Sequence, residues 1–176
     1  MTSHITISQI DSIGMKTDSI RDIRILLHDI RSVYNVGAIF RTADAIGVSK
    51  IYLSGFSPTP LDRFNVPRTD FAKSALGSEK TVSWEGSETP LEIIETLKKE
   101  GFQIVCVEQD EASIDYKKVN LGEKVLVIFG NEVEGVSKEM LSKADTIAEI
   151  PMNGLKESLN ISVSAGIVLF RWFDSI

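Results

Sequence analysis

Short apolar runs alternate with helical stripes along most of the chain. Runs rich in β-branched residues predict core strands at 23–28, 50–53, 102–107, 125–129 and 147–150, and a short strand at 81–84. Apolar residues at helical spacing predict helices at 35–47, 87–100, 137–144 and 158–172. This alternation indicates an α/β fold, in which a parallel sheet is covered by helices on both faces.

Polar turns that contain glycine follow the last two predicted core strands. The first turn begins at Gly130, and the second contains Gly154. The start of the last helix carries Ser158 and Asn160, and this region has more small polar residues than capping needs. Because parallel strands end at one edge of a sheet, these segments predict a ligand crevice there. The alternative is that both glycines are ordinary turn residues and that Ser158 is an N-cap.

The size of the chain fits a single domain. With 176 residues, of which 43% are hydrophobic, the chain is long enough for one well-buried domain and short for two. We therefore expect one domain over residues 1–176, in which residues 1–20 form a poorly defined N-terminal segment. No apolar run approaches the roughly 18 residues of a membrane span, and the N-terminus lacks a secretory pattern. A soluble, cytoplasmic protein without membrane contact is expected.

Cysteine and histidine are too scarce for a disulfide framework or a thiolate metal site. The lone Cys106 lies within a predicted core strand, and the other candidate ligands are His4 and His28. We therefore expect no metal cofactor.

Charge is distributed unevenly along the chain. The formal net charge is -6, but residues 1–80 hold ten basic and eight acidic side chains, whereas residues 81–176 hold nine and seventeen. Six of the seven arginines lie in the first half. Arginines from the first half could form a basic face. The negative net charge of the whole chain nevertheless argues against tight non-specific binding of nucleic acid.

The connection at 56–68 contains three prolines and two arginines. Loops of this length within a compact chain are usually functional or mobile. The candidates for phosphate contacts are Arg31, Arg63, Arg68 and Lys73. The alternative is that these cations belong to an ordinary solvated surface. A further connection, at 108–123, is expected to contain at most one edge element.

Three sequence motifs resemble those of a known family. Residues 150–163 read I-P-M-x-G-x-x-x-S-L-N-x-S-V, and residues 129–135 read F-G-N-E-x-x-G. Upstream stand Asn35, Gly37, Arg41 and Gly47 in the pattern N-x-G-x-x-x-R-x-x-x-x-x-G. The upstream pattern resembles the first motif of the SpoU/TrmH branch of SPOUT RNA methyltransferases. Residues 129–135 resemble the second motif, and residues 150–163 resemble the third.

The resemblance implies a fold and an activity. SPOUT enzymes have a three-layer αβα fold whose C-terminal part is tied into a deep trefoil knot, with the terminal helix pulled through. They use S-adenosylmethionine and release S-adenosylhomocysteine. The implied methyl acceptor is a ribose 2'-hydroxyl of transfer or ribosomal RNA, and the implied assembly is a homodimer. We expect no separate RNA-binding domain of sizeable length within these 176 residues.

The resemblance also implies roles for individual residues. Gly130, Ile150 and Leu159 would contact the cofactor largely through backbone groups. Neighbouring side chains would shape the same pocket, namely Phe129, Asn131, Met152 and Gly154.

Arg41 is the residue that the resemblance implicates in activating the ribose hydroxyl. Because arginine stays protonated, we expect it to stabilise the developing alkoxide and grip a phosphate. Asn35 would orient Arg41 or the ribose, Glu132 would pair with Arg41 or hold a hydroxyl, and Ser158 and Asn160 would complete the polar shell. Structural alternatives remain, in which Asn35 and Asn160 are helix caps and Glu132 is a solvated turn residue.

Two other functions are compatible with parts of the sequence. One is a non-catalytic RNA-binding or chaperone-like protein that retains the fold. The other is an unrelated doubly wound nucleotide-binding domain, which would explain the alternation of strands and helices but none of the three motifs.

Overall fold

The computed structural model describes residues 21–173, so the expectation for residues 1–20 lies outside the described residues. Within that range, all paired strands run parallel in one seven-stranded sheet. The strands are β1 (Asp22–His28), β2 (Lys50–Ser54), β3 (Trp84–Ser87), β4 (Gln103–Val107), β5 (Ile114–Asp115), β6 (Lys124–Phe129) and β7 (Thr146–Glu149). Their spatial order is β3-β2-β1-β6-β4-β7-β5.

Residues 21–173 also form six α-helices, of which the first five lie between strands and the sixth follows the last strand. They are α1 (Val33–Ile46), α2 (Thr69–Ala75), α3 (Ser78–Thr81), α4 (Pro90–Lys99), α5 (Lys138–Leu141) and α6 (Ile161–Phe173). Within residues 21–173, no helix combines the length and apolar character that crossing a membrane requires.

The core forms two layers, one on each face of the sheet. Successive strand residues point to opposite faces, so Ile25 and Leu27 belong to one apolar cluster and Leu26 to the other. Helices α1, α2 and α6 contribute to the first cluster, and α4 and α5 to the second. The predicted α/β fold, with its parallel sheet covered on both faces, is confirmed.

Strand β6 lies in the middle of the sheet, between β1 and β4. Residues 125–129 are all buried, as their unbroken apolar run predicts.

The single cysteine lies on the neighbouring strand β4. Burial of the Cys106 thiol raises its pKa to about 12, and the charge of Glu108 contributes further. The thiol is therefore protonated and unreactive at neutral pH.

Helix α1 is positioned by its ends and by one close contact. Ser32 is the N-cap, and its side chain accepts a hydrogen bond from the Asn35 backbone. Gly47 ends the helix at a φ of 75°, a left-handed conformation that glycine adopts without strain. A Cβ on Gly37 would lie 1.9 Å from the Ser74 hydroxyl oxygen, so this glycine allows α2 to approach α1.

Two helices were not predicted, and several predicted element boundaries were wrong, among them the start of the helix predicted at 87–100, which begins at Pro90. Residues 69–81 form two helices that the sequence patterns did not reveal, because a proline-rich loop and Gly77 obscured their short apolar pattern. The strand predicted at 81–84 begins at Trp84 instead, since Thr81 still lies in α3. The terminal helix begins at Ile161 rather than at 158.

Candidate functional site

A cleft of about 620 Å³ opens at the carboxyl edge of the sheet. It lies where β4, β6 and β7 end, and residues 157–161 close one side of it. Pockets of this size accommodate small organic ligands. The cleft occupies the position predicted for the crevice.

The loop after β6 forms one wall of the cleft, and Asn131 holds its shape. This side chain is only 7% exposed. Its carbonyl oxygen accepts hydrogen bonds from the Val133 and Glu134 backbones at 2.8 and 2.9 Å. Its amide nitrogen donates to the Asp29 carbonyl at 2.7 Å, which ties the loop to the end of β1.

Gly130 allows the two ends of this loop to pass close to each other. A Cβ at this position would lie 2.3 Å from the Gly135 carbonyl oxygen and 2.4 Å from the Val136 nitrogen. Both neighbours are backbone atoms, so they cannot move aside as a flexible side chain would. Gly130 is therefore required by packing, in addition to any contact with a ligand.

Glu132 connects this loop to the start of α1. Its carboxylate accepts hydrogen bonds from the Arg31 and Ser32 backbones at 3.0 and 3.4 Å, and from the Asn35 side chain at 3.1 Å. Burial alone would raise the pKa of Glu132, but these donors lower it below its usual value. A negative charge is thus held at the helix N-terminus, where the macrodipole favours it.

Asn35 is the point at which all three motif segments meet. Its amide nitrogen donates to Glu132, and its oxygen accepts a hydrogen bond from the Asn160 side chain at 3.1 Å. The structural alternative for Asn35 was wrong, because Ser32 is the residue that caps α1.

Asn160 has two structural contacts at once. Its side-chain oxygen accepts from the Ser162 backbone at 2.9 Å, as an N-cap does, while its nitrogen reaches Asn35. Ser158, by contrast, lies before the helix and lines the cleft. The proposed N-cap role of Ser158 was therefore wrong.

Most of the residues predicted to bind the cofactor line the cleft. Those lining it are Phe129, Gly130, Asn131, Ile150, Met152 and Leu159. Gly154 does not line it, and a Cβ there would meet no atom within 4 Å. The mixture of apolar side chains and strand-end backbone groups fits a nucleoside with a polar tail. Among residues 21–173, no group of three or more His, Cys, Asp and Glu side chains is arranged to hold a metal ion.

Arg41 lies outside the cleft of its own chain. It is exposed on α1, six residues after Asn35. Six residues correspond to about 9 Å of helix rise, and the two side chains leave the helix about 120° apart. The junction at Asn35 therefore does not bring the guanidinium of Arg41 into the cleft.

The residues predicted to contact RNA lie in three separate segments, namely the loop after β1, the loop after β2 and helix α2. Arg63 and Arg68 line a second groove of about 450 Å³, and Lys73 is exposed on α2. Hydrogen bonding to Asp70 raises the pKa of Arg68, with a salt-bridge distance of 2.7 Å. Arg31 is exposed, and its backbone nitrogen donates to Glu132.

Sequence reasoning missed the contribution of the loop after β4. Glu108 lines the cleft and accepts a hydrogen bond from the Val136 backbone at 2.8 Å. Gln109 also lines it and donates to the Glu157 carbonyl at 2.7 Å. The signal for these residues is the position of β4 between β6 and β7, which the order of elements along the chain does not reveal.

The structure has a parallel sheet covered by helices, a cleft at the carboxyl edge of that sheet and a polar junction centred on Asn35. These features define the class of this protein, an α/β protein with a ligand cleft at the strand ends. Comparison with known proteins identifies its family. The profile of the SpoU rRNA Methylase family matches residues 22–170. The chain therefore belongs to the SpoU/TrmH family of RNA 2'-O-methyltransferases, which confirms the resemblance found in the three motifs.

Several relatives carry specific names. The tRNA (guanosine(18)-2'-O)-methyltransferase of Aquifex aeolicus is 32% identical over 151 residues, covering 86% of this chain and 68% of that protein. The enzyme of the same name from Thermus thermophilus is 35% identical over 150 residues, covering 85% and 73%.

Solved structures share the fold. An AdoMet-bound rRNA methyltransferase from Sinorhizobium meliloti matches with a TM-score of 0.77 and 28% identity, covering 85% of this chain and 55% of that one. The A. aeolicus TrmH/SpoU tRNA modifying enzyme matches with a TM-score of 0.75 and 30% identity, covering 86% and 73%. The chain thus spans little more than half of the first of these structures.

Replacing Gly130 with alanine tests the close packing beside the cleft. We expect Gly130→Ala to lower the free energy of unfolding by about 1–3 kcal/mol, the usual cost of overpacking. Gly154→Ala is the matched control, and because its Cβ would meet no neighbour, it should change stability by less than about 0.5 kcal/mol. Urea denaturation of both variants measures this difference, and equal stabilities would contradict the packing argument.

The hydrogen bonds to Glu132 predict a pH-dependent contribution to stability. Its folded-state pKa is lowered, so the stabilisation is present above the unfolded pKa and is lost as pH falls through the folded value. Glu132→Gln should cost about 1 kcal/mol at pH 7, which is below the roughly 1.5–3 kcal/mol usual for hydrogen bonds to charged groups, because solvent screens this side chain. The loss should shrink as pH falls below about 4, the ordinary range of a glutamate pKa.

The control for this prediction is Glu134→Gln in the same loop, because within residues 21–173 the Glu134 side chain makes no hydrogen bond. Denaturant titrations of both variants and the wild type, from neutral pH down to about one unit below the ordinary glutamate pKa, give the required differences. A destabilisation by Glu132→Gln that stays constant across this range would contradict the account.

Proposed function

We propose that this protein transfers a methyl group from S-adenosylmethionine to a ribose 2'-hydroxyl of transfer or ribosomal RNA. The observation that carries the proposal is the junction at the cleft, where Asn35, Glu132 and Asn160 join three family motifs by hydrogen bonds. Two relatives above 30% identity are named as tRNA ribose methyltransferases, and a similar structure is AdoMet-bound.

The residues at the carboxyl edge are suited to hold this cofactor. When bound, S-adenosylmethionine supplies an activated methyl group on a sulfonium, so the transfer is a direct displacement that needs alignment of donor and acceptor. Backbone groups of Gly130 and Ile150, the residues that follow β6 and β7, can match the donor and acceptor pattern of an adenine. Met152 and Leu159 supply apolar contacts along the same wall.

The proposed role of Arg41 is electrostatic. Its guanidinium stays protonated in proteins, so it stabilises negative charge on the ribose oxygen rather than removing the proton. The proton passes to a phosphate oxygen or to water. Asn35 and Glu132 meet at the start of α1 and hold the polar end of the acceptor site, with Ser158 and Asn160 completing it.

A homodimer would complete the site. Arg41 does not line the cleft of its own chain, so a second copy can bring its Arg41 to the cleft of the first. Helix α6 leaves Val163 and Phe170 exposed at 49% and 44%, and Tyr34 at the start of α1 is 63% exposed. These apolar side chains provide a contact surface for a symmetric pair.

We also propose that the C-terminal part of the chain forms the deep trefoil knot of SPOUT proteins. The family match over residues 22–170 supports this, because it covers most of the C-terminal part of the chain, which SPOUT enzymes tie into the knot.

Arg41→Ala is the variant that tests the proposed role. We expect it to bind S-adenosylmethionine with wild-type affinity and to transfer methyl groups at least about 100-fold more slowly, because one electrostatic contact to the transition state is removed. Calorimetry measures cofactor binding, and transfer of labelled methyl groups to total transfer and ribosomal RNA measures turnover. Lys99→Ala on α4, an exposed cation across the sheet, is the control.

Three results separate the possibilities. Unchanged turnover by Arg41→Ala would remove this residue from the mechanism. Failure of the wild-type protein to bind S-adenosylmethionine would favour a non-catalytic RNA-binding protein with the same fold. Binding without transfer to either RNA pool would leave the cofactor site intact and overturn the proposed acceptor.

A further inference from the structure

The groove beside the loop after β2 exposes two aromatic rings. Phe56 and Phe64 line this groove of about 450 Å³, and they are 58% and 69% exposed. Exposed aromatic residues that share one groove mark a binding surface, because each ring would gain free energy by leaving water. None of the three family motifs includes this segment.

The tip of the loop is held in a fixed turn. The Asp62 carboxylate accepts hydrogen bonds from the Phe64 and Val66 backbones at 2.8 and 2.9 Å. Leu61 and Pro67 form an antiparallel bridge across the base of the turn. Phe64 is therefore presented by an ordered turn, which lowers the entropy lost when a ligand binds.

The base of the loop is fastened to the loop after β1. The Ser57 hydroxyl accepts from the Ile30 backbone and donates to the Leu27 carbonyl, both at 3.0 Å. The Phe56 backbone donates to the Asp29 carboxylate at 3.1 Å, and the Asp29 carbonyl accepts from Asn131 in the cleft wall. Hydrogen bonds thus run from the groove to the cleft.

The groove and the cleft lie on the same edge of the sheet. Strands β2, β1 and β6 are neighbours, and parallel strands are spaced about 4.8 Å apart. The bases of the loops after β2 and β6 are therefore about 10 Å apart, a distance that a short stretch of single-stranded RNA can span.

The charges of the groove suit a nucleotide. The Arg63 guanidinium lies 4.7 Å from the centre of the Phe64 ring, and within residues 21–173 it forms no salt bridge. Arg68 also lines the groove, although its guanidinium forms a salt bridge with Asp70. An aromatic ring paired with an arginine is the combination that binds an unstacked base together with its phosphate.

We propose that Phe56 and Phe64 stack on an unpaired base of the RNA substrate close to the methylated ribose, while Arg63 contacts the phosphate of that nucleotide. The groove offers rings rather than a set of buried hydrogen-bonding groups, so it selects an unpaired nucleotide rather than a particular base. This inference rests on the proposed function, because the ligand is the RNA that supplies the acceptor ribose.

Binding of a short unstructured RNA, compared with a duplex of the same sequence, tests the proposal. Anisotropy of a labelled RNA of about 12 nucleotides, within the usual span of a single-strand site, gives the dissociation constant for the full-length wild type and for Phe56→Ala, Phe64→Ala, Phe64→Leu and Phe64→Trp. Val66→Ala is the matched control, because Val66 is 55% exposed in the same loop and does not line the groove. Circular dichroism and thermal melting verify that each variant is folded.

We expect each alanine variant to bind the single strand roughly 5- to 150-fold more weakly, the range for loss of one stacked base. Phe64→Leu should lose as much as Phe64→Ala, whereas Phe64→Trp and Val66→Ala should retain wild-type affinity. The wild type should prefer the single strand to the duplex. Wild-type affinity in Phe64→Ala, or full affinity in Phe64→Leu, would overturn the proposal, the second by favouring an apolar protein ligand.

Methyl transfer distinguishes this result from a failure of the proposed function. If the wild type transfers methyl groups and the alanine variants have an unchanged KM for RNA, the stacking site is wrong and the enzyme assignment stands. If the wild type transfers none but still shows the stacking pattern in RNA binding, the acceptor chemistry is wrong and the groove stands.

Discussion

The hydrogen bonds of Asn35 hold the candidate site together. One amide side chain donates to a carboxylate in the loop after β6 and accepts from an asparagine at the start of α6. Its partners lie 97 and 125 residues away along the chain. The site therefore depends on the fold bringing three segments to one point, and on a neutral amide that can both donate and accept.

The parallel sheet makes this convergence possible. All seven strands direct their carboxyl ends to one edge, so the loops after β1, β2, β4, β6 and β7 lie side by side. Gly130 and Asn131 then set how closely the β6 loop folds on itself, by close backbone approach and by three side-chain hydrogen bonds. The shape of the cleft wall thus depends on the packing of Gly130 and on the hydrogen bonds of Asn131.

The sequence predicted elements with strong apolar patterns better than it predicted contacts between elements. The strand at 125–129 and the helix ending at Gly47 were clear, because burial and a left-handed cap each leave a local signal. The motifs pointed to Asn35, Glu132 and Asn160. Three features were not predictable: the helices α2 and α3, the role of Glu108, and the position of Arg41 outside the lining of the cleft. Each depends on how separated elements pack, which no single stretch of sequence specifies.

The coupling free energy between Asn35 and Asn160 tests the central claim most directly. It is obtained from the unfolding free energies of the wild type, Asn35→Ala, Asn160→Ala and the double variant, because the cycle cancels the separate capping contribution of Asn160. The account predicts a coupling of at least about 0.5 kcal/mol, with the double variant less destabilised than the sum of the single variants. Additive effects, within about 0.3 kcal/mol, would contradict the view that these side chains join the segments of the site.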